Sequence, residues 1–327
     1  MSAIATQDAM VLSSSAPPGR RSHALFDRTF RFLCLASAAT VLVVLFGILG
    51  SIAYGGWPAF QEFGLWGFVS GTRWNVAADV YGAWPAVAGT LICALIALVL
   101  GVPISLGIAV FLTQLSPKWL KGPISTCVEL LAAVPSIIFG MWGLFVLAPL
   151  VAAYLQVPLN SLVEGVPVVG TILYSAVPSG TGIFTAGVIL ALMIIPFIAS
   201  ITRDMLDQIP AILRESAYGM GCTTWEVVRH VLVPQTAVAL VGAVMLGLGR
   251  ALGETMAVTF VVGNANRLSA SILDPGSTIA SRIANEYNEA SGLQLSALIA
   301  LGCILFVVTF AVLIVARLLV ARINRTQ

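Results

Sequence analysis

The sequence predicts an all-α integral membrane protein with about six transmembrane helices. Of its 327 residues, 59% are hydrophobic and only 9% are charged, and the mean hydropathy is +1.00. A soluble domain carries about 25% charged residues, so this chain cannot cover a surface exposed to water. Apolar stretches long enough for helical spans recur along it. The composition therefore excludes a soluble enzyme, a disordered scaffold and a nucleic-acid-binding protein.

The first element is a polar segment, residues 1–29, which we expect to be a disordered cytoplasmic tail. Pro17-Pro18-Gly19 interrupts any helix within it. We expect Arg20 and Arg21 to anchor an uncleaved first helix, because further charges follow and no cleavage site is evident. Residues 30–325 then form the predicted transmembrane domain.

Six apolar runs follow, separated by polar or glycine- and proline-rich segments. The predicted spans are about Phe32–Ala53, Pro85–Leu112, Ile124–Leu147, Phe184–Ile201, Ala237–Val262 and Leu295–Val320. Four of the seven tryptophans lie in the loop after the first span, which should therefore run along the membrane interface. Residues 148–183 are apolar but broken by prolines and glycines. For this region we predict an irregular, re-entrant or interfacial excursion.

The distribution of basic residues predicts the orientation of the six spans. If both termini are cytoplasmic, twelve basic residues lie inside and three outside, as the positive-inside rule requires. Those inside are Arg20, Arg21, Arg28, Arg31, Lys118, Lys121, Arg203, Arg214, Arg229, Arg317, Arg322 and Arg325. Those outside are Arg73, Arg267 and Arg282, and Arg250 lies within a span. We therefore predict cytoplasmic N- and C-termini.

The only sizeable hydrophilic segment on the predicted inside, apart from the tail, is 202–235. Pro210 can begin a helix there, and Gly219 and Gly221 can end it. Thr223-Thr224-x-Glu226 has the spacing of a capping box, which begins a second helix. The pattern predicts two short helices joined at a glycine turn, lying at the membrane surface.

Two opposite charges, Arg250 and Glu254, lie inside the fifth predicted span. Each costs roughly 2.5–3.5 kcal/mol at the centre of a membrane helix, so both must face protein or water. Their spacing of four residues puts both on one helical face, and Gly249-x-x-x-Gly253 beside it admits a neighbouring helix. One interpretation is a self-neutralising ion pair that joins helices. We favour the other, in which Glu254 holds Arg250 in place and Arg250 contacts an oxyanion through its permanently charged fork.

The third predicted span carries a second polar cluster. Pro135 predicts a kink that frees a backbone carbonyl, and Ser136 adds a hydroxyl beside it. For Glu129 two interpretations remain open. It is either the partner of a cation on another helix or part of a substrate path.

The segment 202–235 resembles the EAA signature of ABC importer permeases. Glu215-Ser216-Ala217, Gly221 and Val231-Leu232-Val233-Pro234 match its order and spacing, with small changes at three positions. In that family the segment forms a coupling helix that docks in a groove of the cytoplasmic ATPase. The resemblance implies this role for Glu215, Ala217 and Gly221, and residues 202–235 are called the coupling loop below.

Two further segments, ELLAAVPSIIFG at 129–140 and RALGETMAV at 250–258, resemble the phosphate-specific branch of these permeases. The long loop after the first span is similar to the first of its two paired permease subunits. The resemblance covers about residues 25–325 and implies a type I ABC importer permease of the cytoplasmic (inner) membrane that moves inorganic phosphate. It implies as partners a second permease in a heterodimer, two copies of an ABC ATPase and an external phosphate-binding protein. It also implies that Arg250 and Glu254 line the substrate path.

Alternatives within this class and outside it remain open at this point. The chain could be a permease for sulfate or molybdate, an ion-coupled carrier that needs no ATPase, or a scaffold that also reports phosphate status. Its only lysines, Lys118 and Lys121, do not follow glycine, so the sequence has no P-loop. The five cysteines show no CxxC spacing. We therefore expect no ATPase site, metal or other cofactor in this chain.

Overall fold

The computed structural model describes residues 20–163, 169–175, 177–267 and 269–323. The chain divides into two units, one up to Ser51 and one from Ile52 onward. The first helix, α1, runs Arg20–Phe63. Residues 1–19 of the predicted tail lie outside the described residues, whereas its last ten residues are helical and belong to α1.

Helices and helical turns make up most of the described chain after α1. The next seven helices are α2 (Leu65–Ser70), α3 (Trp84–Val110), α4 (Lys118–Ala133), α5 (Ser136–Trp142), α6 (Ala148–Val151), α7 (Val157–Val163) and α8 (Val169–Leu173). The last seven are α9 (Ile183–Asp207), α10 (Ala211–Gly219), α11 (Thr224–Val227), α12 (Val233–Leu252), α13 (Met256–Val261), α14 (Ile279–Glu286) and α15 (Gly292–Ile323). Single π-helical turns join several of them, at Phe111–Leu115, Gly143–Leu147, Ala152–Gln156 and Val228–Leu232.

Six helices of the described chain are long and apolar enough to cross a membrane, which confirms the predicted number. They are Phe26–Phe63, Trp84–Leu115, Ser136–Val163, Ile183–Asp207, Thr224–Leu252 and Gly292–Leu318. The second, fourth and sixth lie close to the predicted bounds. The third and fifth do not, and both differ because the helix is interrupted.

The third span begins later than predicted, and residues 148–163 are helical. Val134 and Pro135 adopt extended backbone, so they separate α4 from α5 completely instead of kinking one helix. From Ser136 the π-helical turns at Gly143–Leu147 and Ala152–Gln156 carry the helix past Pro149 and Pro158. An added residue per turn relieves the clash that proline causes in a regular α-helix. The prediction of an irregular segment from 148 was therefore wrong for its first sixteen residues.

The fourth span, α9, is the centre of the fold from Ile52 onward. About 72% of its apolar window is buried, a larger share than in any other candidate span. It packs against α3, α12 and α13, and Ile189, Ile194 and Ile198 are fully buried in that contact. A helix that is apolar on all sides can occupy such a position, whereas a helix with one polar face cannot. This central position of α9 brings α12 and α13 together with α3.

The predicted interfacial loop has two different sides. Phe68, Trp74 and Tyr81 are buried in a cluster with residues of α14 and α15, whereas Trp57 and Trp66 are 59% and 80% exposed. Burial and the neighbouring Asp79 raise the pKa of Tyr81 to about 12, so its hydroxyl stays protonated and donates to Asp79. One side of this loop is therefore part of the protein core.

A buried arginine, Arg282, ties this loop to α14. Its guanidinium donates to Glu286 at 3.1 Å and to the Ser277 hydroxyl at 2.8 Å, and lies 4.9 Å from the centroid of Trp74. Trp74 in turn donates to the same Glu286 carboxylate at 2.9 Å. Burial lowers the pKa of Arg282, and Glu286 opposes that effect. The sequence placed this arginine only on the outer side of the membrane, and in the structure only 3% of it is exposed.

Replacing Arg282 by Gln should destabilise the protein, because it removes the buried cation that binds the partly exposed Glu286 carboxylate and contacts the Trp74 ring. A hydrogen bond to a charged group contributes about 1.5–3 kcal/mol, which is the expected size of the loss. Thermal unfolding of the purified protein in detergent measures the loss. Arg73→Gln, which removes an exposed arginine, is the control and should leave the transition unchanged. Equal transitions for both variants would contradict a stabilising role for Arg282.

Candidate functional site

Two helix interruptions lie side by side in the part of the fold that contains the predicted substrate residues. α5 begins after the break at Pro135, and α13 begins after a break at 253–255. Gly140 packs against Ala257, and Gly143 against Val261. The order of these contacts shows that α5 and α13 run parallel. A Cβ atom at Gly140 would come within 2.9 Å of the Cα of Ala257, so this close approach requires glycine.

Arg250 lies in the last turn of α12, just before one of these interruptions. At 1.5 Å per residue it is roughly 26 Å along the helix axis from Val233, near the end of the span Thr224–Leu252 that lies farthest from the coupling loop. The guanidinium carbon lies 5.0 Å from the centroid of the Phe197 ring on α9. Its Nε is buried and has no hydrogen-bond partner in the described chain. A buried donor without a partner is costly, and the rest of the partly exposed guanidinium makes no hydrogen bond or ion pair to the described residues.

Glu254 does not pair with Arg250, contrary to the prediction. α12 ends at Leu252, because Gly253 leaves the helical conformation and Glu254 follows in a connecting segment. The two residues therefore do not share one helical face. The Glu254 carboxylate instead accepts a hydrogen bond from the Ala257 amide at 3.4 Å, and the ion pairs of the described residues include none to Arg250. A carboxylate at the start of a helix is favoured by the unpaired amides there.

Ser136 and Glu129 are separated by the break between α4 and α5. Ser136 is the first residue of α5 and is half-buried, at the end of α5 that lies alongside the start of α13. Glu129 lies on α4 and binds Arg203 of α9 at 3.1 Å, with over half of its side chain exposed. Of the two interpretations of Glu129, the observed contact is therefore the one with a cation on another helix, Arg203. An exposed pair of this kind contributes at most about 1 kcal/mol, so it links α4 to α9 only weakly.

The coupling loop has the predicted glycine turn and first short helix, but the prediction of a separate second helix was wrong. α11 continues through the π-helical turn at Val228–Leu232 into α12, so it is the start of the fifth span. α10 ends at Gly219, and Gly221 has a φ of +88°, a left-handed conformation that favours glycine. Thr223 then caps α11 in a capping box with Glu226. Ala217 is buried against Ala109 and Leu232 among others. The loop is therefore held firmly on the ends of α3 and α9.

The exposed surface of α10 and of the turn that follows it carries the charged Glu215 and large apolar side chains. Glu215 is exposed on α10. Ile212 and Met220 are 65% and 79% exposed. Large apolar side chains grouped with polar ones on an exposed surface are typical of a protein-binding site. In the part of the chain that the structure describes, no group of His, Cys, Asp or Glu could hold a metal ion.

Comparison with known proteins identifies the family. Residues 101–325 match the family described as binding-protein-dependent transport system inner membrane component. The phosphate transport system permease protein PstC of Haemophilus influenzae is 53% identical over 312 residues, which cover 94% of this chain and 98% of that protein. PstC of Pasteurella multocida is 49% identical over 314 residues, covering 96% and 98%. The chain belongs to the PstC permease family.

A solved structure confirms the architecture of this permease. The permease resembles a chain in the crystal structure of a bacterial alginate ABC transporter in complex with an alginate pentasaccharide-bound periplasmic protein. The TM-score is 0.60 at 19% identity, over 91% of this chain and 96% of that one. The predicted type I ABC importer permease fold is thereby confirmed. This permease is a multi-pass protein of the cytoplasmic (inner) membrane and a transport component, not the ATPase.

Two contacts of the candidate site could not be found in the sequence. Phe197, which faces Arg250, is one aromatic residue in a continuous apolar run, and only the packing of α9 on α12 selects it. Arg203, which binds Glu129, was predicted only as an inner surface charge. The end of α12 could have been found in the sequence, since a glycine directly after the last apolar turn, here Gly253, commonly ends a helix.

Proposed function

We propose that this permease is the transmembrane subunit of an ATP-driven importer of inorganic phosphate. The observation that supports this most is the identity of about one half to named phosphate transport permeases over nearly the whole chain. The site agrees in chemistry, because Arg250 has a buried donor without a partner in the described chain. A phosphate ion that leaves water needs such a fixed cation in a low-dielectric path.

In the proposed path, Arg250 receives the phosphate at the level of the two helix interruptions. Its guanidinium is held over Phe197, so it is oriented without being neutralised by a carboxylate. Ser136, at the start of α5, is the proposed second contact, through its hydroxyl. The Glu254 carboxylate accepts a hydrogen bond at the start of α13. It thereby helps to fix the interruption between α12 and α13, and its negative charge is directed at the helix amides. Glu129 has only an indirect part, through the ion pair that links α4 to α9.

Permeases of this family work with another permease, an ATPase and a substrate-binding protein. For this chain we propose the finer arrangement of a heterodimer of two permeases with two copies of an ABC ATPase. An external phosphate-binding protein delivers the ligand. The coupling loop docks on the ATPase through Glu215 and its exposed apolar neighbours. Ala217 and Gly221 hold the loop in shape, so movement of the ATPase reaches α3 and α9 directly.

The test of this proposal is the ATPase activity of the complex reconstituted in liposomes with the binding protein. Phosphate should stimulate the activity and drive uptake, and sulfate or molybdate should do neither. Stimulation by sulfate but not phosphate would refute the assigned substrate. Phosphate uptake by the isolated permease without ATP would refute the ATP-driven mechanism.

We also propose that both termini, including residues 1–29, are cytoplasmic. Cysteines introduced at the exposed Ser70 and Ser179 should react with an impermeant thiol reagent added outside intact cells. One introduced at the exposed Ser216 should react only after the membrane is permeabilised. The exposed Cys34 and Cys127 are first replaced by Ser so that they give no background. Labelling of the Ser216→Cys variant in intact cells would overturn this orientation.

A further inference from the structure

A groove of this permease lies away from Arg250, between α3 and the last part of the coupling loop, from Trp225 to Val233. It has a volume of about 460 Å³. On α3 it is lined by Pro103, Leu106 and Gly107, and on the opposite helix by Trp225, Arg229 and Val233. Both sets follow helical spacing, so each helix presents one face to the groove. Gly107 leaves it open, since nothing lies within 4 Å of the position that a Cβ atom would take.

The groove has a deep apolar end and a shallow basic end. α3 and α12 run antiparallel, because Ala94 packs near Leu248 and Ala109 packs near Leu232. Pro103 therefore lies at the deep end, and Arg229 lies nearer the surface. From Pro103 to the end of the span at Leu115 is roughly 18 Å at 1.5 Å per residue. That is close to the thickness of one leaflet, about half of a 30 Å hydrocarbon core.

The charge at the shallow end is free to bind an anion. Arg229 is exposed and makes no ion pair or hydrogen bond to the described residues. The nearest acidic neighbour in sequence, Glu226, accepts hydrogen bonds from the Thr223 amide at 2.7 Å and hydroxyl at 2.8 Å. Its charge is therefore turned toward the helix cap. Trp225, 68% exposed one turn before Arg229, is the residue type that membrane interfaces favour.

We propose that this groove binds an anionic phospholipid of the cytoplasmic leaflet. Arg229 binds the lipid phosphate, Trp225 lies at the level of the headgroup, and an acyl chain lies along Leu106, Gly107 and Val233. The inner leaflet is rich in anionic lipids that bind basic side chains near the surface. The lipid fills the space between α3 and the last part of the coupling loop. The choice of leaflet rests on the orientation proposed above.

Lipid retention by the intact importer complex tests this site. The purified complex is incubated with phosphatidylglycerol or phosphatidylcholine, and bound lipids are counted by native mass spectrometry. The wild-type complex should retain phosphatidylglycerol preferentially. Arg229→Gln should lower that retention about fivefold, the effect expected for one basic residue near an anionic membrane surface. Gly107→Leu, which fills the groove without changing charge, should lower it similarly.

Two matched controls separate the groove from general effects. Arg73→Gln removes an exposed arginine elsewhere, and Gly122→Leu adds a side chain at a glycine on α4 that is equally open. Both should retain phosphatidylglycerol as the wild type does. Equal losses in the controls, or full retention by Arg229→Gln and Gly107→Leu, would overturn the proposal. A photo-crosslinker at Leu106 should form a lipid adduct, and an adduct to a partner subunit instead would show that protein fills the groove.

Discussion

Replacing Arg250 by Gln should reduce phosphate uptake on the order of a hundredfold while the protein still inserts and assembles. Gln keeps part of the side-chain length but removes the charge, and a hydrogen bond to a charged group contributes up to about 3 kcal/mol. Arg250→Lys should give partial activity at best, because an ammonium ion lacks the bidentate fork. Uptake of labelled phosphate by cells or proteoliposomes measures the effect. Assembly is checked by co-purification of the ATPase.

A double variant distinguishes substrate binding from a role in joining helices. If Arg250 only neutralised Glu254, replacing both by Gln would remove the uncompensated charge and restore uptake. The structure predicts the opposite, since the Glu254 carboxylate is bound to the Ala257 amide and not to the arginine. Glu254→Gln should retain much of that hydrogen bond and much of the activity. Restored uptake in the double variant would exclude Arg250 as a phosphate contact.

Replacing Gly221 by Val should uncouple ATP hydrolysis from transport or prevent the ATPase from binding. The φ of +88° costs an L-residue roughly 1–2 kcal/mol, and a β-branched residue is among the least tolerant of it. No atom lies within 4 Å of the added Cβ position, so the effect comes from the backbone and not from a clash. Co-purification of the ATPase and ATP-dependent uptake are the measurements.

Gly219 offers a matched control two residues away in the coupling loop. Its surroundings are equally open, but it lies in α10 without a positive φ. Gly219→Ala should therefore be neutral, whereas Gly221→Ala should weaken coupling through backbone strain alone. Normal uptake by Gly221→Val would remove the basis for assigning the coupling role to this turn. Equal losses for both alanine variants would show that side-chain volume matters, and not the left-handed turn.

The fold class and the local elements of this permease follow from composition and short-range pattern. The number of spans depends on the lengths of apolar runs, and a helix that meets lipid must satisfy its own backbone groups. The local turns and caps of the coupling loop were equally predictable. Pro210, Gly221 and the capping box from Thr223 to Glu226 act within a few residues of one another, and the structure has each of them in its predicted role.

Spacing alone could not decide which charges meet, because that depends on where helices end and which helices pack. Arg250 and Glu254 were placed together by a rule that holds only inside an uninterrupted helix, and α12 ends between them. Glu129 found its partner on α9, more than seventy residues away in the chain. Phe197 and Arg250 meet because Gly247 allows α12 to pack closely on Ile198 of α9. Long-range contacts of this kind are selected by the packing of the whole core, so only the tertiary structure shows them.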